Sequence, residues 1–314
     1  MPIVVSLSLR HAGAGVAAVL IRGITISVNY APLLAVTLPR NMRHLSECVV
    51  VTSPEDEATK AVARSVAGVR VFETDAFTRH GAAFNKGLAF EEGFDFLGRD
   101  GWILIWDADC LFPEGMDLSK ARPNALNGAK RRILKDPLQW REDLDWRTIP
   151  LSRDGGPLGF FQLFHAADPA IRDKRPWYDV SFAHAGGGDA YMLTHWGPND
   201  KPILPVEVLH LGPKDTHWFG TDAQSRKVME AFIVRNGWRH SHPWILPEAA
   251  NQVGDITERV EVPGYAPSGF ELPFVRRAQW MKANGRPPAG PTSTAAGSRP
   301  GHAPPTPGSG PATT

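Results

Sequence analysis

Short, continuously apolar runs recur along the first third of the chain, separated by longer segments of mixed polarity. Runs of this kind, rich in Val, Ile and aromatic side chains, are typical of strands buried on both faces of a parallel sheet. The pattern predicts these strands: Gly23–Asn29, Cys48–Thr52, Val69–Glu73 and Trp102–Trp106.

Helical patterns fill the intervals between these strands. Apolar residues recur at helical spacing over Ala31–Arg43, with Pro32 near the start, where a helix tolerates it. A second helix is predicted to begin at Ser53 as N-cap, with Pro54 at its first position, and a third is predicted over Ala82–Gly93. Strands that alternate with helices predict an α/β domain with a mainly parallel sheet, in which ligands bind at the carboxyl ends of the strands.

The two ends of the chain differ from this central part. Residues 1–22 are predicted to be a weakly structured extension. Residues 285–314 are rich in Pro, Gly, Ala, Ser and Thr, and they bury too little to offset the entropy of folding, which predicts disorder. One domain is therefore predicted over residues 23–284, and within it Arg226–Trp238 has the pattern of an amphipathic helix.

The net charge, the lack of a long apolar stretch and the cysteine content limit the binding partners and the cellular location that the sequence predicts. The chain has 34 Lys and Arg against 33 Asp and Glu, a net charge of +1 that gives no general attraction to nucleic acid or an anionic membrane. No apolar stretch has the roughly 18 residues of a transmembrane helix, so no stable membrane insertion is expected. Cys48 and Cys110 lie in apolar runs and are interpreted as buried, reduced thiols, which fits a cytoplasmic protein.

The first candidate metal-binding residues follow the end of the fourth predicted strand. Asp107-Ala108-Asp109 places two carboxylates together after an apolar run, which is costly unless a cation or a set of donors compensates them. A hard divalent cation, Mn2+ or Mg2+, held by carboxylate and phosphate oxygens would supply that compensation. Asp-x-Asp also occurs in surface turns, but the apolar strand before it and Pro113 after it favour a metal site.

Later segments carry further candidate groups. Three successive glycines in Phe182–Asp189 allow the backbone to approach a ligand closely, and an acid follows them at once; an exposed glycine turn is the alternative. His210 ends the strand-like alternation that starts at Val206 and precedes a Gly-Pro break. The aromatic run Pro157–His165 is interpreted as core rather than as a surface that stacks on a sugar ring.

Two of these segments together carry a family resemblance. Phe84–Phe90 (Phe-Asn-Lys-Gly-Leu-Ala-Phe), followed closely by the Asp-x-Asp strand, resembles the nucleotide-sugar core of family 2-like GT-A glycosyltransferases, in particular the galactosyltransferase and polypeptide N-acetylgalactosaminyltransferase branch. The resemblance implies a GT-A, Rossmann-like fold with a mainly parallel central sheet. It also implies that Asn85 and Lys86 face the nucleotide diphosphate, that Asp109 holds the metal, and that Asp107 contacts the ribose or the metal.

The same resemblance implies the catalytic and sugar-binding residues. Asp189 would be the base that removes the proton from the acceptor hydroxyl, although the family often has Glu-Asp at this place and this chain has a single acid. Gly187 and Gly188 would border the donor sugar. His210 would complete the metal shell, with His217 as the alternative ligand.

The nucleotide itself is expected near the first two strands. In the resembled fold the ends of these strands hold the base and the ribose, which assigns Tyr30, Thr52 and Asp56 to that site. The Asp56 carboxylate would accept a hydrogen bond from a pyrimidine N–H, or it would serve only as an acid in the first turn of a helix.

These features predict a metal-dependent hexosyl- or pentosyltransferase that moves a sugar from a nucleotide-diphosphate sugar to an acceptor hydroxyl, with inversion. The compatible acceptors are a glycan, a lipid, a protein or a modified DNA base. A nucleotidyltransferase is an alternative, although the Gly-rich basic loop usual after its first strand is replaced here by Asn29–Pro32. A non-catalytic sugar-binding scaffold is another alternative, and the presence of Asp107, Asp109, Asp189 and His210 together argues against it.

Overall fold

The computed structural model describes residues 20–135, 139–152, 156–185, 188–212 and 259–266. Its strands are β1 (Ile21–Ile26), β2 (Glu47–Thr52), β3 (Val69–Glu73), β4 (Trp102–Ile105), β5 (Cys110–Leu111), β6 (Gly128–Leu134), β7 (Gln162–His165) and β8 (Ile203–Leu211). Its α-helices are α1 (Ala31–Asn41), α2 (Glu57–Arg64), α3 (Lys86–Leu97) and α4 (Gly188–Met192). The first four strands alternate with the first three helices, as the sequence predicts.

A five-stranded sheet forms the centre of this fold. Its order is β3-β2-β1-β4-β7; the first four strands are parallel, and β7 pairs antiparallel with β4. Strand order reverses at β1, between β2 and β4, and ligands of open α/β sheets bind at such a point, outside the carboxyl ends of the strands. The strand order confirms the predicted α/β fold with a mainly parallel central sheet.

Helices cover both faces of the central sheet, which explains why its strands are continuous apolar runs. Val50 of β2 lies in a buried cluster with Leu34 and Leu38 of α1. Val49, which points to the opposite face, lies in a cluster with Phe90 of α3. Complete burial of one such side chain contributes about 1.5–3 kcal/mol, so the central sheet is stabilised mainly by apolar packing.

A second, three-stranded sheet has the order β5-β8-β6, with β8 parallel to β6 and antiparallel to β5. Cys110 is paired with His210, and Arg131 is paired with Val208. Because alternate residues of a strand point to the same face, these four side chains share one face of the small sheet. The chain enters β5 only a few residues after β4, so the Asp-x-Asp motif lies between the two sheets.

The structure corrects several of the predicted helix and strand boundaries. Ser53 as the N-cap of α2 is wrong: Asp56 caps the helix, because its carboxylate accepts a hydrogen bond from Thr59 N–H at 3.0 Å. The third helix begins later than predicted, since Asn85 is its N-cap. The first strand ends earlier than predicted, and the chain reaches Asn29 with φ of 59°, a left-handed conformation that a strand does not use.

Three further predictions concern membrane-spanning helices, the cysteines and the ends of the chain. No helix among the described residues is long and apolar enough to cross a membrane. Cys48 and Cys110 are buried and free, as predicted. The predicted extension loses its last two residues to β1, and residues 1–19, the helix predicted at Arg226–Trp238 and the tail predicted at 285–314 lie outside the described residues.

Candidate active site

An ion pair joins the start of α3 to the end of β4. Lys86, the first residue of α3, places Nζ 2.8 Å from Oδ1 of Asp107. Burial alone lowers the pKa of Lys86, but Asp107, with Asp189 and Asp109, raises it above its ordinary value. Burial raises the pKa of Asp107, and Lys86 outweighs this and holds that pKa below its ordinary value. One ammonium group therefore lies within electrostatic reach of all three predicted carboxylates.

The second carboxylate of the motif faces a histidine and a thiol. Asp109 Oδ2 lies 3.5 Å from Nε2 of His210, and Asp109 Oδ1 lies 3.7 Å from Sγ of Cys110. The three residues are buried, and their ligand atoms all lie within 4.8 Å of one another. Burial, followed by Asp109 and Asp107, raises the pKa of Cys110 well above its ordinary value. Among the described residues, this group of side chains could hold a metal ion.

The orientation of His210 suits a metal ligand. Its Nδ1 lies 2.9 Å from the carbonyl oxygen of Gly212. A carbonyl only accepts, so we assign a proton to Nδ1, and in that tautomer the lone pair of Nε2 faces Asp109. Metal-bound histidines are commonly oriented by such a second hydrogen bond. The facing lone pairs of a carboxylate and an imidazole fit a divalent cation, while Asp107 is directed instead at Lys86.

The turn after β8 supports this orientation. Gly212, whose carbonyl accepts from His210, has φ of 113°, in the region that favours glycine. Its own N–H donates to the Leu134 carbonyl at 2.8 Å, which ties the turn to the end of β6. The small sheet thus fixes both the position of His210 and the group that orients its ring.

Asp189 lies in the first turn of α4, and two backbone N–H groups hold its carboxylate. Gly159 donates to Oδ2 at 3.1 Å, and Ala190 donates to Oδ1 at 2.9 Å. The same carboxylate helps to raise the pKa of Lys86, so it belongs to the charged group around that lysine. The structure therefore brings together Asp189 and the acids of the Asp-x-Asp motif, which are distant in sequence.

Two buried residues, Gln162 and Tyr178, stand behind Asp189. The Nε2 of Gln162 lies 3.4 Å from the Asp189 carbonyl, and its Oε1 accepts a hydrogen bond from the Tyr178 hydroxyl. Gly188 packs on the same ring, since a Cβ there would lie 2.8 Å from a Tyr178 carbon. Burial, with Asp189 and other acids, raises the pKa of Tyr178 well above its ordinary value. Gly187 lies outside the described residues, and its role stays a prediction.

A second cation approaches the acids from the small sheet, and the sequence analysis missed it. Arg131 of β6 is only 7% exposed, lies over the Phe160 ring at 4.5 Å, and helps to lower the pKa of Asp107. The neighbouring Arg132 points to the opposite face and pairs with Glu207 at 2.7 Å. Side chains alternate between the two faces of β6, and this alternation is the signal that would have distinguished Arg131, on the buried face, from Arg132, on the other face.

Asn85, predicted to face the diphosphate, has structural partners. Its side chain is fully buried, and its Oδ1 accepts from Leu88 N–H at 2.9 Å as the cap of α3. Its Nδ2 donates to the Val180 carbonyl at 2.7 Å. Asn85 thus ties the start of α3 to the chain segment before α4, and a contact with the nucleotide stays a prediction.

The residues predicted to hold the base and ribose lie together at the ends of β1 and β2. The Asp56 Oδ2 accepts from Asn29 N–H at 2.6 Å and lies 3.4 Å from the hydroxyl of Thr52. Tyr30 is half-buried at the start of α1. Asp56 therefore connects the two strand ends as well as capping α2, and nucleotide binding by these residues stays a prediction.

The aromatic run before α4 is core, as predicted. Phe160, Phe161 and Phe164 are buried. Trp177 and Trp196 are buried too, so they do not form an accessible platform for a sugar ring. His217, the alternative metal ligand, lies outside the described residues.

Comparison with known proteins gives weak likenesses. No family model matches the chain, and no characterised protein matches its sequence. GalNAc-T7, in a structure with UDP, GalNAc and Mn2+, is 13% identical over 62% of this chain and 44% of its own, with a TM-score of 0.37. Glucosyl-3-phosphoglycerate synthase from Mycobacterium tuberculosis, in complex with Mn2+, UDP and glucosyl-3-phosphoglycerate, is 16% identical over 71% of this chain and 81% of its own, with a TM-score of 0.34.

A third solved structure gives a likeness of similar strength. A structure of 4-diphosphocytidyl-2C-methyl-D-erythritol synthase is 17% identical over 71% of this chain and 99% of its own, with a TM-score of 0.35. At these TM-scores the likenesses carry no weight for function. The fold assignment rests on the strand order, and any activity has to be argued from the side chains.

Proposed function

We propose that this chain is a metal-dependent glycosyltransferase that moves a sugar from a nucleotide-diphosphate sugar to an acceptor hydroxyl. The observation that carries the proposal is the ion pair of Lys86 with Asp107 at the carboxyl end of β4, together with the electrostatic influence of Asp109 and Asp189 on the same ammonium. Three carboxylates beside one ammonium repel one another and cost folding free energy. A site that binds a cation and a phosphate oxyanion accounts for this cost, since perturbed charges cluster at functional sites.

Asp109 and His210 would hold the cation, with Asp107 beside them as a further carboxylate. Mn2+ and Mg2+ are the cations that the sequence predicts, and imidazole is an acceptable ligand for the first of them. A bound cation supplies electrostatic stabilisation of the negative charge that develops on the departing nucleoside diphosphate.

The protein's own groups bind the donor and move the proton. The ammonium of Lys86 would bind a donor phosphate oxygen in exchange for part of its contact with Asp107, as a flexible point charge. Asp189, held in place by Gly159 and Ala190, would accept the acceptor's hydroxyl proton as that oxygen attacks the anomeric carbon. The bond from this carbon to the diphosphate oxygen breaks, its electron pair leaves with the nucleoside diphosphate, and the configuration inverts.

Nucleotidyl transfer is the alternative reaction for the same group of side chains. The loop after β1 favours glycosyl transfer, because residues 27–30 contain no glycine and no basic side chain with which to enclose a triphosphate. In that loop the N–H of Asn29 already donates to Asp56. The two reactions have different leaving groups: glycosyl transfer releases a nucleoside diphosphate, whereas nucleotidyl transfer releases pyrophosphate.

The products of the full-length chain therefore test the proposal. The protein is incubated with UDP-, GDP- and dTDP-sugars, and separately with nucleoside triphosphates and sugar 1-phosphates, each with Mn2+ and with EDTA. We expect cation-dependent hydrolysis of one sugar donor to a nucleoside diphosphate, slowed at least about 100-fold in Asp109→Ala. Asp143→Asn is the control, since that side chain is 83% exposed.

The outcomes separate the two reactions. Pyrophosphate released from a triphosphate would overturn glycosyl transfer in favour of nucleotidyl transfer. Binding of no donor under either condition would overturn both and favour a scaffold. Once a donor is known, the labelled sugar is offered to glycans, lipids, proteins and modified DNA to identify the acceptor class.

A further inference from the structure

The two cysteines of the chain are equally buried but have different neighbours. Both are 0% exposed. Cys48, in β2, lies in an apolar cluster of the central sheet. Cys110 belongs to the same cluster, but its Sγ also lies 3.7 Å from Asp109 Oδ1, and His210 is its direct partner across the small sheet. A thiol that packs as a small apolar side chain does not need a carboxylate and an imidazole beside it.

Two separations within this group are close to those of a compact coordination site, and all of its ligand atoms lie within 4.8 Å of one another. At the metal–ligand bond lengths of tetrahedral zinc sites, an oxygen and a nitrogen ligand lie about 3.4 Å apart, and an oxygen and a sulfur ligand lie about 3.6 Å apart. The corresponding separations here are 3.5 Å between Asp109 Oδ2 and His210 Nε2, and 3.7 Å between Asp109 Oδ1 and Cys110 Sγ. The carboxylate thus presents one oxygen to the imidazole and the other to the sulfur.

We propose that Cys110 is a ligand of the cation site, which then binds its ion through Asp109, Cys110 and His210. The inference rests on the cation site of the proposed function and extends it to the identity of the ion. Thiolate ligands select softer cations, and a mixed oxygen, sulfur and nitrogen set suits Zn2+ or Co2+. Mg2+ prefers oxygen ligands only. The site therefore prefers Zn2+ and Co2+ to Mg2+, because of the sulfur.

Co2+ provides a direct readout, because a thiolate bound to Co2+ gives a charge-transfer absorption in the near ultraviolet that oxygen and nitrogen ligands do not. The full chain is titrated with Co2+ under reducing conditions, and binding is measured in parallel by equilibrium dialysis. Because the chain has two cysteines, Cys48→Ala leaves Cys110 as its only thiol. An absorption band in this variant is therefore due to Cys110, whether or not a Cys110 variant folds.

We expect the wild-type protein and Cys48→Ala to bind one Co2+ with the thiolate band. Cys110→Ser should bind Co2+ without the band, with a Zn2+ Kd at least about tenfold weaker and a Mg2+ Kd within about threefold of wild type. Co2+ binding without the band in Cys48→Ala would overturn the inference and leave the cation site standing. No Co2+ binding to the wild-type protein would overturn the inference and the cation site together.

Discussion

The interior of the central sheet and the candidate site differ in what they bury. Val49, Val50 and Val51 of β2 are 0% exposed and are surrounded by aliphatic and aromatic side chains. At the end of β4 and in the small sheet, the buried residues include Asp109 and Arg131. Burial of apolar side chains stabilises the fold, whereas burial of charge costs free energy unless it is compensated. The first region therefore maintains the fold, and the burial of charge in the second fits the cation and phosphate site that we propose.

The two cysteines show the same contrast between an apolar and a charged environment. Burial raises the pKa of Cys48 to about 12, with the neighbouring Glu47 a minor cause. Burial also raises the pKa of Cys110, but there the next causes are the carboxylates of Asp109 and Asp107. The two thiols are thus equally buried but have different electrostatic surroundings. Only Cys110 lies beside carboxylates that would stabilise a cation.

The largest expected effect that separates the two regions is at Asp189. Asp189→Asn removes the proposed base, so kcat should fall about 10²–10⁴-fold, which corresponds to about 3–5 kcal/mol of barrier. Donor binding should change little, because the phosphate-binding and cation-binding groups remain. Steady-state rates at saturating donor, together with the donor Kd from calorimetry, measure the two quantities separately.

Asp143→Asn, on the exposed surface, is the matched control for this substitution. An amide at position 189 keeps only one acceptor for the N–H groups of Gly159 and Ala190, so a stability loss of about 1 kcal/mol is expected. A variant that keeps the wild-type kcat would remove Asp189 from the chemistry. Equal losses in kcat and donor binding would assign it to the binding of substrate.

The central sheet could be predicted from the sequence because the apolar side chains of its strands indicate directly that the strands are buried. Val69–Glu73 has the predicted bounds, and β2 and β4 differ from their predictions by one residue at one end. The N-cap at Ser53 failed for a local reason: Ser, Pro, Glu and Asp in a row all suit a helix start, and which side chain accepts the Thr59 N–H depends on the path of the chain after β2.

The candidate site was only partly predictable. Asp107 and Asp109 could be found because they follow an apolar strand, and His210 because it lies near the end of one. Arg131 was missed because its strand is rich in basic residues and does not read as a buried run. The pairing of Cys110 with His210 could not be predicted, since it joins strands that are 100 residues apart in sequence and no periodicity reports which strands become neighbours.

A smaller effect is expected at the ion pair that joins α3 to β4. Lys86→Met leaves Asp107 without its closest cation and should lower the free energy of unfolding by about 1–3 kcal/mol, between the values for exposed and fully buried pairs. The pKa of Asp107 is lowered in the folded protein, so the pair's contribution is present above the unfolded value of about 4 and is lost as the pH falls through the folded pKa. The raised pKa of Lys86 keeps that contribution until the pH exceeds about 10.

Urea unfolding of wild type and Lys86→Met, with EDTA present at several pH values, measures this difference. It should be constant between about pH 5 and pH 9 and shrink below about pH 4. Lys130→Met, at an exposed position of β6, is the control and should have little effect. A difference that persists unchanged in acid would mean that Lys86 stabilises the fold through the contact of its ammonium with the Phe90 ring, at 5.6 Å, rather than through Asp107.

The smallest effect tests whether the central sheet acts on the site at all. Ile103 of β4 is fully buried, and Ile103→Val removes one methylene there, at a cost of about 0.5–1.5 kcal/mol. Its strand leads directly to Asp107, yet the rigid packing on both faces should absorb the change before it reaches the carboxylate. The free energy of unfolding should therefore fall while the Co2+ and donor Kd values stay within about twofold of wild type, because 0.5 kcal/mol at the site would already change Kd by that amount. A larger shift in either Kd would show that the packing of the sheet sets the position of the acids, and the separation between a region for stability and a region for binding would fail at β4.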